Sequence, residues 1–237
     1  MDDALIVSDI HLGSDVCQAK LFVDLLDQIK FCELQTRQLI LNGDVFDSWD
    51  FRRLKKHHWK VLSHLRKLSD HLPITWINGN HDGPAEIVSH LLGVNVAEEH
   101  IFESGGKKVL ALHGHQFDRF IDNHPILTAL ADFSYQMIQI MDRSFYWARL
   151  AKRRSKTFLR CSELIEQRAL EYARKKSCDL VCCGHTHLEV EQPGKIGYFN
   201  SGCWTELPCS YLTVAEGEVR LHHFVSDRKP SMQLNHA

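Results

Sequence analysis

The chain has 237 residues, of which 44% are hydrophobic and 24% are charged, so it can bury a substantial core as one soluble domain. Its formal net charge of −2 argues against nucleic-acid binding by the whole surface. No apolar run reaches the length of a membrane span, and the acidic N-terminus leads directly into a strand-like run without a secretory signal. The eight cysteines form no Cys-x-x-Cys pair, which predicts reduced thiols in a cytoplasmic protein.

Strand and helix patterns alternate along the first part of the chain. Short apolar runs predict strands at residues 4–8, 39–41 and 74–77. Apolar residues at helical spacing follow each of them, at residues 21–29, 61–68 and 87–92, and Pro84 suits the first turn of the third helix. This alternation predicts an α/β fold with its chemistry at the carboxyl ends of the strands.

The second part of the chain has a different character. A strand is predicted at residues 108–112, a long helical pattern at about 123–176 and a further strand at 180–183. Short runs at 198–200, 211–215 and 219–224 suit a second, antiparallel-edged sheet. We therefore expect one domain over residues 1–237, with a helical insert at about 123–165 and a flexible tail from about 227.

Polar motifs follow five of the predicted strands. They are Asp9-Ile10-His11, Gly43-Asp44, Asn80-His81-Asp82, His113-Gly114-His115 and Gly184-His185-Thr186-His187. Any one of them is readily accidental, but five in series are not. Seven of their side chains are candidate oxygen and nitrogen ligands: Asp9, His11, Asp44, Asn80, His113, His185 and His187. Seven ligands suit two ions sharing Asp44. The ligand types favour manganese, iron or zinc, and two divalent ions beside only two ligand carboxylates favour an anionic substrate such as a phosphate ester.

The order of these motifs resembles the calcineurin-like metallophosphoesterase superfamily. The resemblance implies a four-layer αββα sandwich of two mixed sheets flanked by helices. Carried over residue by residue, it implies Asp9, His11 and His187 on one ion, Asn80, His113 and His185 on the other, and Asp44 as the bridge. It also implies that His81 is the catalytic histidine and Asp82 its orienting partner. His115 keeps two interpretations, as a partner of the site or as a structural residue.

Within this superfamily the chain most resembles the bacterial UDP-2,3-diacylglucosamine diphosphatases. Five segments carry the resemblance: Ser8-Asp9-Ile10-His11-Leu12, Gly43-Asp44-Val45-Phe46-Asp47-Ser48-Trp49, His113-Gly114, Gly184-His185-Thr186-His187 and Asn200-Ser201-Gly202-Cys203-Trp204. Those enzymes cleave the pyrophosphate of a lipid A precursor. The sequence departs from their pattern at His81, where they have arginine, and at His115, where they have aspartate. His81 restores the general superfamily form.

The predicted insert combines large apolar groups with basic ones. Between Arg143 and Arg160 it carries seven arginines and lysines and no acidic residue. A basic, aromatic-rich amphipathic stretch predicts a surface for anionic lipid, with Tyr135, Trp147, Arg149, Arg153 and Arg154 as candidate substrate contacts. Two alternatives remain: a helical pair that packs its aromatics on the core, and a nucleic-acid groove.

The sequence therefore predicts a phosphoesterase with two divalent ions, with Mn²⁺ as the first choice. The expected reaction is hydrolysis of a phosphoanhydride or phosphodiester, with the pyrophosphate of UDP-2,3-diacylglucosamine or a similar amphipathic nucleotide as the expected substrate. One alternative is a phosphodiesterase for nucleotides or nucleic acid, and another is a scaffold protein of the same fold. The expected location is the cytoplasm, with peripheral attachment to the inner face of the membrane as an extension of the lipid hypothesis.

Overall fold

The computed structural model describes residues 1–83, 85–118 and 156–226, which contain eleven strands and four α-helices. The strands are β1 (Ala4–Val7), β2 (Leu39–Asn42), β3 (Ile74–Ile77), β4 (Asn95–Ala97), β5 (Glu99–Ser104), β6 (Lys107–Leu112), β7 (Leu180–Cys183), β8 (Glu189–Gln192), β9 (Gly197–Ser201), β10 (Ser210–Ala215) and β11 (Glu218–His223). The helices are α1 (Ala19–Lys30), α2 (Lys56–Leu68), α3 (Ala85–Leu92) and α4 (Lys156–Lys175).

The strands form two mixed sheets. The first sheet has the order β11-β10-β1-β2-β3-β4, in which β1 to β4 are parallel and the β10–β11 hairpin is antiparallel to β1. The second has the order β5-β6-β7-β9-β8, with β6, β7 and β9 parallel and an antiparallel strand at each edge. Parallel neighbours end at the same edge of a sheet, so the loops that follow them lie side by side.

Alternation along the strands divides the core into three layers of side chains. Between the sheets, Ala4 and Ile6 of β1, with Ile40 and Leu212, pack against side chains of the second sheet, among them Val109, Leu180 and Phe199. Leu5 and Val7 face the opposite way and pack with residues of α1 and α2, among them Phe22, Leu25, Val61 and Leu65. On the far side, Ala169 and Ala173 of α4 pack on Leu110 and Val181 of the second sheet.

The resulting order is helices, sheet, sheet, helix, which confirms the predicted αββα class. Because the central strands are covered on both faces, they read as continuous apolar runs. Each large apolar side chain that is fully buried in these layers contributes about 1.5–3 kcal/mol to folding. The core therefore holds the strand ends, and the loops that leave them, in fixed positions.

The sequence patterns did not predict three of the strands, β4, β5 and β8. These strands have half-exposed residues and lie at a sheet edge. The tail strands are also placed differently. Instead of forming one second sheet, β10 and β11 extend the first sheet through β1, whereas β9 pairs with β7 in the second. Pairings between segments this far apart leave no periodic signal in the sequence.

The predicted boundary of the insert at 165 falls within α4. This helix is continuous from Lys156 to Lys175 and packs on the second sheet. Ile165 itself is only 2% exposed. Residues 119–155 and the predicted tail from 227 lie outside the described residues. In the described part of the chain, no helix is both long enough and apolar enough to cross a membrane. The cysteines form no disulfide there, and burial raises the pKa of the Cys183 thiol to about 12.

Candidate metal centre

Loops from both sheets bring six of the seven predicted ligands together. Asp9 and His11 follow β1, Asp44 follows β2, His113 follows β6, and His185 and His187 follow β7. They form two groups, Asp9 with His11 and His187, and Asp44 with His113 and His185. In each group, one ligand atom from every residue lies within 4.8 Å of the others. Each group has the number of protein ligands that a single catalytic ion requires.

Asp44 lies between the two groups. Its Oδ2 is 3.2 Å from His113 Nε2 in its own group and 3.9 Å from His11 Nε2 in the other. Within the other group, His187 Nε2 is 3.1 Å from Asp9 Oδ1 and 3.2 Å from His11 Nε2. A carboxylate shared by two ions needs this intermediate position.

Five of these residues have a backbone conformation that residues other than glycine rarely adopt. The φ angles are +54° at Asp9, +53° at His11, +53° at Asp44, +66° at His185 and +55° at His187. The left-handed region costs about 1–2 kcal/mol per residue, and such strain concentrates at functional sites. Hydrogen bonds between loops hold it in place, among them Asp9 N to Gly43 O at 3.0 Å and His11 N to Asp44 O at 3.0 Å.

Glycines allow the loops to approach this closely. A Cβ atom on Gly43 would lie 2.3 Å from His113 Nδ1, and one on Gly79 would lie 2.2 Å from Asp44 N and Oδ1. A Cβ atom on Gly184 would lie 2.6 Å from Asp9 Oδ2. Each glycine directly precedes a predicted ligand, so the Gly-Asp, Gly-Asn and Gly-His pairs of the sequence reflect close packing.

The charges of the two groups depend on each other. Burial alone would raise the pKa of Asp9, but His187 and His113 outweigh it and lower that pKa to about 2. The pKa of Asp44 is likewise held well below its usual value, against burial, chiefly by His113. Burial opposes the charge on His113, yet Asp44 and Asp9 raise its pKa to about 10. Buried carboxylates that shift histidines in this way need positive charge beside them.

The orientation of His113 fits a metal ligand. Its Nδ1 donates to the Asn42 carbonyl at 2.9 Å, which directs Nε2 towards Asp44. Nε2 is buried and makes no hydrogen bond, although Asp44 Oδ2 lies 3.2 Å away. A buried polar atom without a hydrogen bond is rare, and a divalent cation between the two side chains would satisfy both. The donor set therefore fits divalent metal ions.

The seventh predicted ligand, Asn80, lies in the loop between Gly79 and His81. Both neighbours are fixed by hydrogen bonds within the site: Gly79 N donates to Asp82 Oδ2 at 3.0 Å, and His81 N donates to Asp44 Oδ1 at 2.9 Å. Asn80 itself is exposed. Its role as a ligand stays a prediction.

His81 stands beside the first group, with its ring centroid 5.1 Å from that of His11. Its Nδ1 donates to the Asp47 carbonyl at 3.0 Å, so Nε2 is the nitrogen that can exchange a proton. That Asp82 orients this histidine stays a prediction. Asp82 accepts from Phe46 N, Trp76 Nε1 and Gly79 N, at 2.9, 3.2 and 3.0 Å.

Asp82 therefore joins the loops that follow β2 and β3. Oδ1 accepts from Phe46 N after β2, and Oδ2 accepts from Trp76 Nε1 of β3 and from Gly79 N after it. Burial and the nearby charge of Asp44 raise the pKa of Asp82 to about 6. Its contribution is structural, since it holds the loop that carries Asn80 and His81.

Other carboxylates near the ligand histidines were not singled out from the sequence. Asp47 Oδ1 is 3.5 Å from His11 Nδ1, and Arg53 pairs with the other oxygen of Asp47 at 2.6 Å. Asp118 Oδ2 is 3.1 Å from His185 Nε2. With two ions bound, Asp118 would make the site less positive than the two ligand carboxylates alone imply, whereas the charge of Asp47 is offset by Arg53. The Gly43-Asp44-x-x-Asp47 spacing was the available signal for Asp47, whereas Asp118 had none.

The loop after β9 also reaches the site. A ring nitrogen of His187, the Cys203 sulfur and a carboxylate oxygen of Glu206 lie within 4.8 Å of one another. His115 lies on the other side, with its ring centroid 5.4 Å from that of His113. The predicted substrate contacts Tyr135, Trp147, Arg149, Arg153 and Arg154 all lie outside the described residues.

The comparison with protein families agrees with this geometry. The model of the calcineurin-like phosphoesterase family matches residues 4–189, most of the chain, and the chain belongs to this family. It is thus a metal-dependent hydrolase that acts on phosphoesters. The relationship to UDP-2,3-diacylglucosamine diphosphatases stays a prediction. A comparison with curated proteins found no match.

Solved structures show the same fold at low identity. An archaeal phosphodiesterase is 18% identical, with a TM-score of 0.52, and the match covers 93% of this chain and 98% of that one. The phosphoesterase Yfce from E. coli is also 18% identical, with a TM-score of 0.50 and coverage of 94% and 99%. At this identity the likeness establishes the fold alone.

Gly79→Ala tests the close packing at Asp44. The added Cβ atom would meet Asp44 N and Oδ1 at 2.2 Å, so the loop carrying His81 must move. We expect turnover of a soluble aryl phosphodiester to fall about 10²-fold, as for a misplacement on the order of 1 Å. The control is Gly194→Ala, where the nearest atom would be 3.2 Å away. Equal activity of the two variants would contradict the packing argument.

Proposed function

We propose that the chain hydrolyses a phosphoanhydride or phosphodiester with two divalent ions. Asp9, His11 and His187 would hold one ion, Asn80, His113 and His185 the other, and Asp44 both. The observation that carries this proposal is the pair of three-residue groups with Asp44 between them. Mn²⁺ is the preferred metal, and iron and zinc suit the same ligands. When bound, the ions would supply Lewis-acid polarisation of the phosphoryl group and acidify the attacking water.

His81 is proposed as the acid that protonates the leaving oxygen. Two contacts hold it: its Nδ1 donates to the Asp47 carbonyl, and its backbone N–H donates to Asp44 Oδ1. These fix the ring relative to the bridging carboxylate and leave Nε2 for the proton transfer. A positioned histidine side chain is the commonest general acid in enzymes and suits this role.

The proposed substrate is UDP-2,3-diacylglucosamine or a similar amphipathic nucleotide. The motifs that resemble the diphosphatases support it, as do the basic and aromatic residues of the insert, with Tyr135, Trp147, Arg149, Arg153 and Arg154 as proposed contacts. Trp49 adds an aromatic surface: it is 63% exposed and packs on Gly83, two residues after His81. A lipid-linked substrate would also require peripheral contact with the membrane on the cytoplasmic side.

A second candidate is a phosphodiesterase for nucleotides. One observation favours it: His81 is the general superfamily residue at the position where the diphosphatases have arginine. The similar solved structures, an archaeal phosphodiesterase and a phosphoesterase from E. coli, are of the same broad type. A histidine acid can protonate the leaving group of either a pyrophosphate or a phosphodiester. The two candidate functions therefore share the metal centre and differ only in substrate.

The metal centre is tested by metal analysis of Asp44→Ala. We expect two ions per chain in the parent at saturating Mn²⁺, and loss of bound metal in the variant because both ions share this carboxylate. Turnover should fall by more than about 10³-fold, since metal ions contribute several kcal/mol to transition-state stabilisation. Asp70→Ala, which removes a half-exposed carboxylate on the surface, is the control. A parent that binds at most one ion would refute the two-metal proposal.

The acid role of His81 is tested by His81→Ala. Removal of an acid–base group lowers turnover by roughly 10²–10⁴-fold, and both metals should remain bound. The loss should be largest for substrates with poor leaving groups, which need protonation, and small for p-nitrophenyl esters. His90→Ala, at an exposed position on α3, serves as the control. Near wild-type turnover with a poor leaving group would disprove the role.

The substrate proposal is tested by charge reversal of Arg149, Arg153 and Arg154 to Glu, or by Phe145 and Trp147 to Ser. We expect severe loss of UDP-2,3-diacylglucosamine hydrolysis and nearly unchanged hydrolysis of a small aryl phosphodiester. The matched control reverses the exposed residues Arg37, Arg66 and Arg220, which are 65%, 49% and 70% exposed.

Other outcomes would favour the alternatives. If the insert only packs on the core, the aromatic variant should unfold and lose both activities. If it binds nucleic acid, the parent should bind single strands with a steep salt dependence that the charge variant loses. Equal loss on both substrates from a folded variant would count against a substrate-binding insert.

A further inference from the structure

We propose that Asp118 is a positioning residue for the metal ligand His185, and that His185 binds its ion through Nδ1. This inference rests on the two-metal centre proposed above. The observation is a close contact in a nearly closed environment: Asp118 Oδ2 lies 3.1 Å from His185 Nε2, and the two side chains are 12% and 8% exposed. At this exposure a carboxylate facing an imidazole nitrogen forms a well-defined hydrogen bond.

The direction of the imidazole follows from its two neighbours. A ring nitrogen of His185 belongs to the group with Asp44 and His113, and Asp118 does not belong to that group. No oxygen of Asp118 therefore lies within 4.8 Å of the ligand atoms of all three residues. Because Nε2 faces Asp118, Nδ1 is the nitrogen left for a metal ion. His113 has the opposite arrangement, with Nδ1 on the Asn42 carbonyl and Nε2 towards Asp44.

The turn that carries Asp118 is itself fixed. Asp118 follows a short 3-10 helix, His115–Phe117, directly after β6 and the ligand His113. Its backbone N–H donates to the His115 carbonyl at 2.9 Å. From α4, Arg168 Nη1 donates to the Phe117 carbonyl at 2.5 Å, and the Tyr172 ring packs 5.7 Å from that of Phe117. Helix α4 thus holds the carboxylate in position, and the carboxylate orients the ligand.

The hydrogen bond from His185 to Asp118 would change how tightly and how selectively one metal ion is bound. A carboxylate that accepts the Nε2 proton keeps Nδ1 unprotonated and makes it a stronger donor. It also restricts rotation of the His185 ring. The backbone of His185 is already in the left-handed region. Loss of such an outer partner lowers metal affinity by about 10–100-fold. The effect should be confined to the ion held by Asn80, His113 and His185.

The test is a Mn²⁺ titration of the full chain against a competing chelator, for the parent, Asp118→Ala, Asp118→Asn and His185→Ala. We expect Asp118→Ala to keep the dissociation constant of one ion and to raise that of the other by about 10–100-fold. Asp118→Asn keeps an oxygen that can accept from Nε2, so its loss should be smaller. Electron paramagnetic resonance of bound Mn²⁺ should show the coupled pair weakened in the same order. Asp70→Asn, at a half-exposed surface carboxylate, is the control.

Three results would overturn the inference. Asp118→Ala could bind both ions as the parent does. Both ions could be weakened equally, which would indicate a general structural loss. Asp118→Asn could lose as much affinity as His185→Ala, which would make the carboxylate a direct ligand. A parent that binds only one ion would instead contradict the proposed two-metal function, so the two failures are distinguishable.

Discussion

The buried carboxylate of Asp44 is the contact on which the rest of the site depends. It faces His113 from the second sheet, approaches His11 from the first, and accepts the backbone N–H of His81. A carboxylate in this position is stable only where positive charge compensates its desolvation. The histidines lower its pKa for this reason, and divalent ions would serve the same purpose. One group thus couples the two sheets, the two candidate ligand groups and the loop that carries His81.

The site contains strained backbone conformations, and the packed core stabilises the loops that adopt them. Five predicted ligands occupy the left-handed region, at about 1–2 kcal/mol each, and the loops that hold them meet at glycines with no room for a Cβ atom. Rigid parallel strands fix the starting points of these loops, and hydrogen bonds between neighbouring loops fix their paths. The sandwich therefore supplies the free energy that holds the ligands in position.

The histidines show a second level of organisation. His113 is held by the Asn42 carbonyl, His11 faces Asp47, and His185 faces Asp118. Such outer partners select the tautomer and hence the nitrogen that faces the metal. They also show how α4, at the opposite surface of the second sheet, is linked to the candidate ligand His185 through Arg168 and the turn that carries Asp118.

The sequence by itself determined the α/β class and the central strands, because buried parallel strands are continuous apolar runs. It also pointed to six candidate ligands at the strand ends, which the structure brings together in two groups. Only the tertiary structure decided what contacts these residues make. No sequence pattern pointed to the partners of Asp82, which accepts hydrogen bonds from Phe46 N and Trp76 Nε1. Nor did one show that Nδ1 of His81 donates to the Asp47 carbonyl. Asp118 and His185 are 67 residues apart, and the hairpin of β10 and β11 joins β1 from the far end of the chain. Contacts of this kind depend on how distant segments pack, and local periodicity carries no record of them.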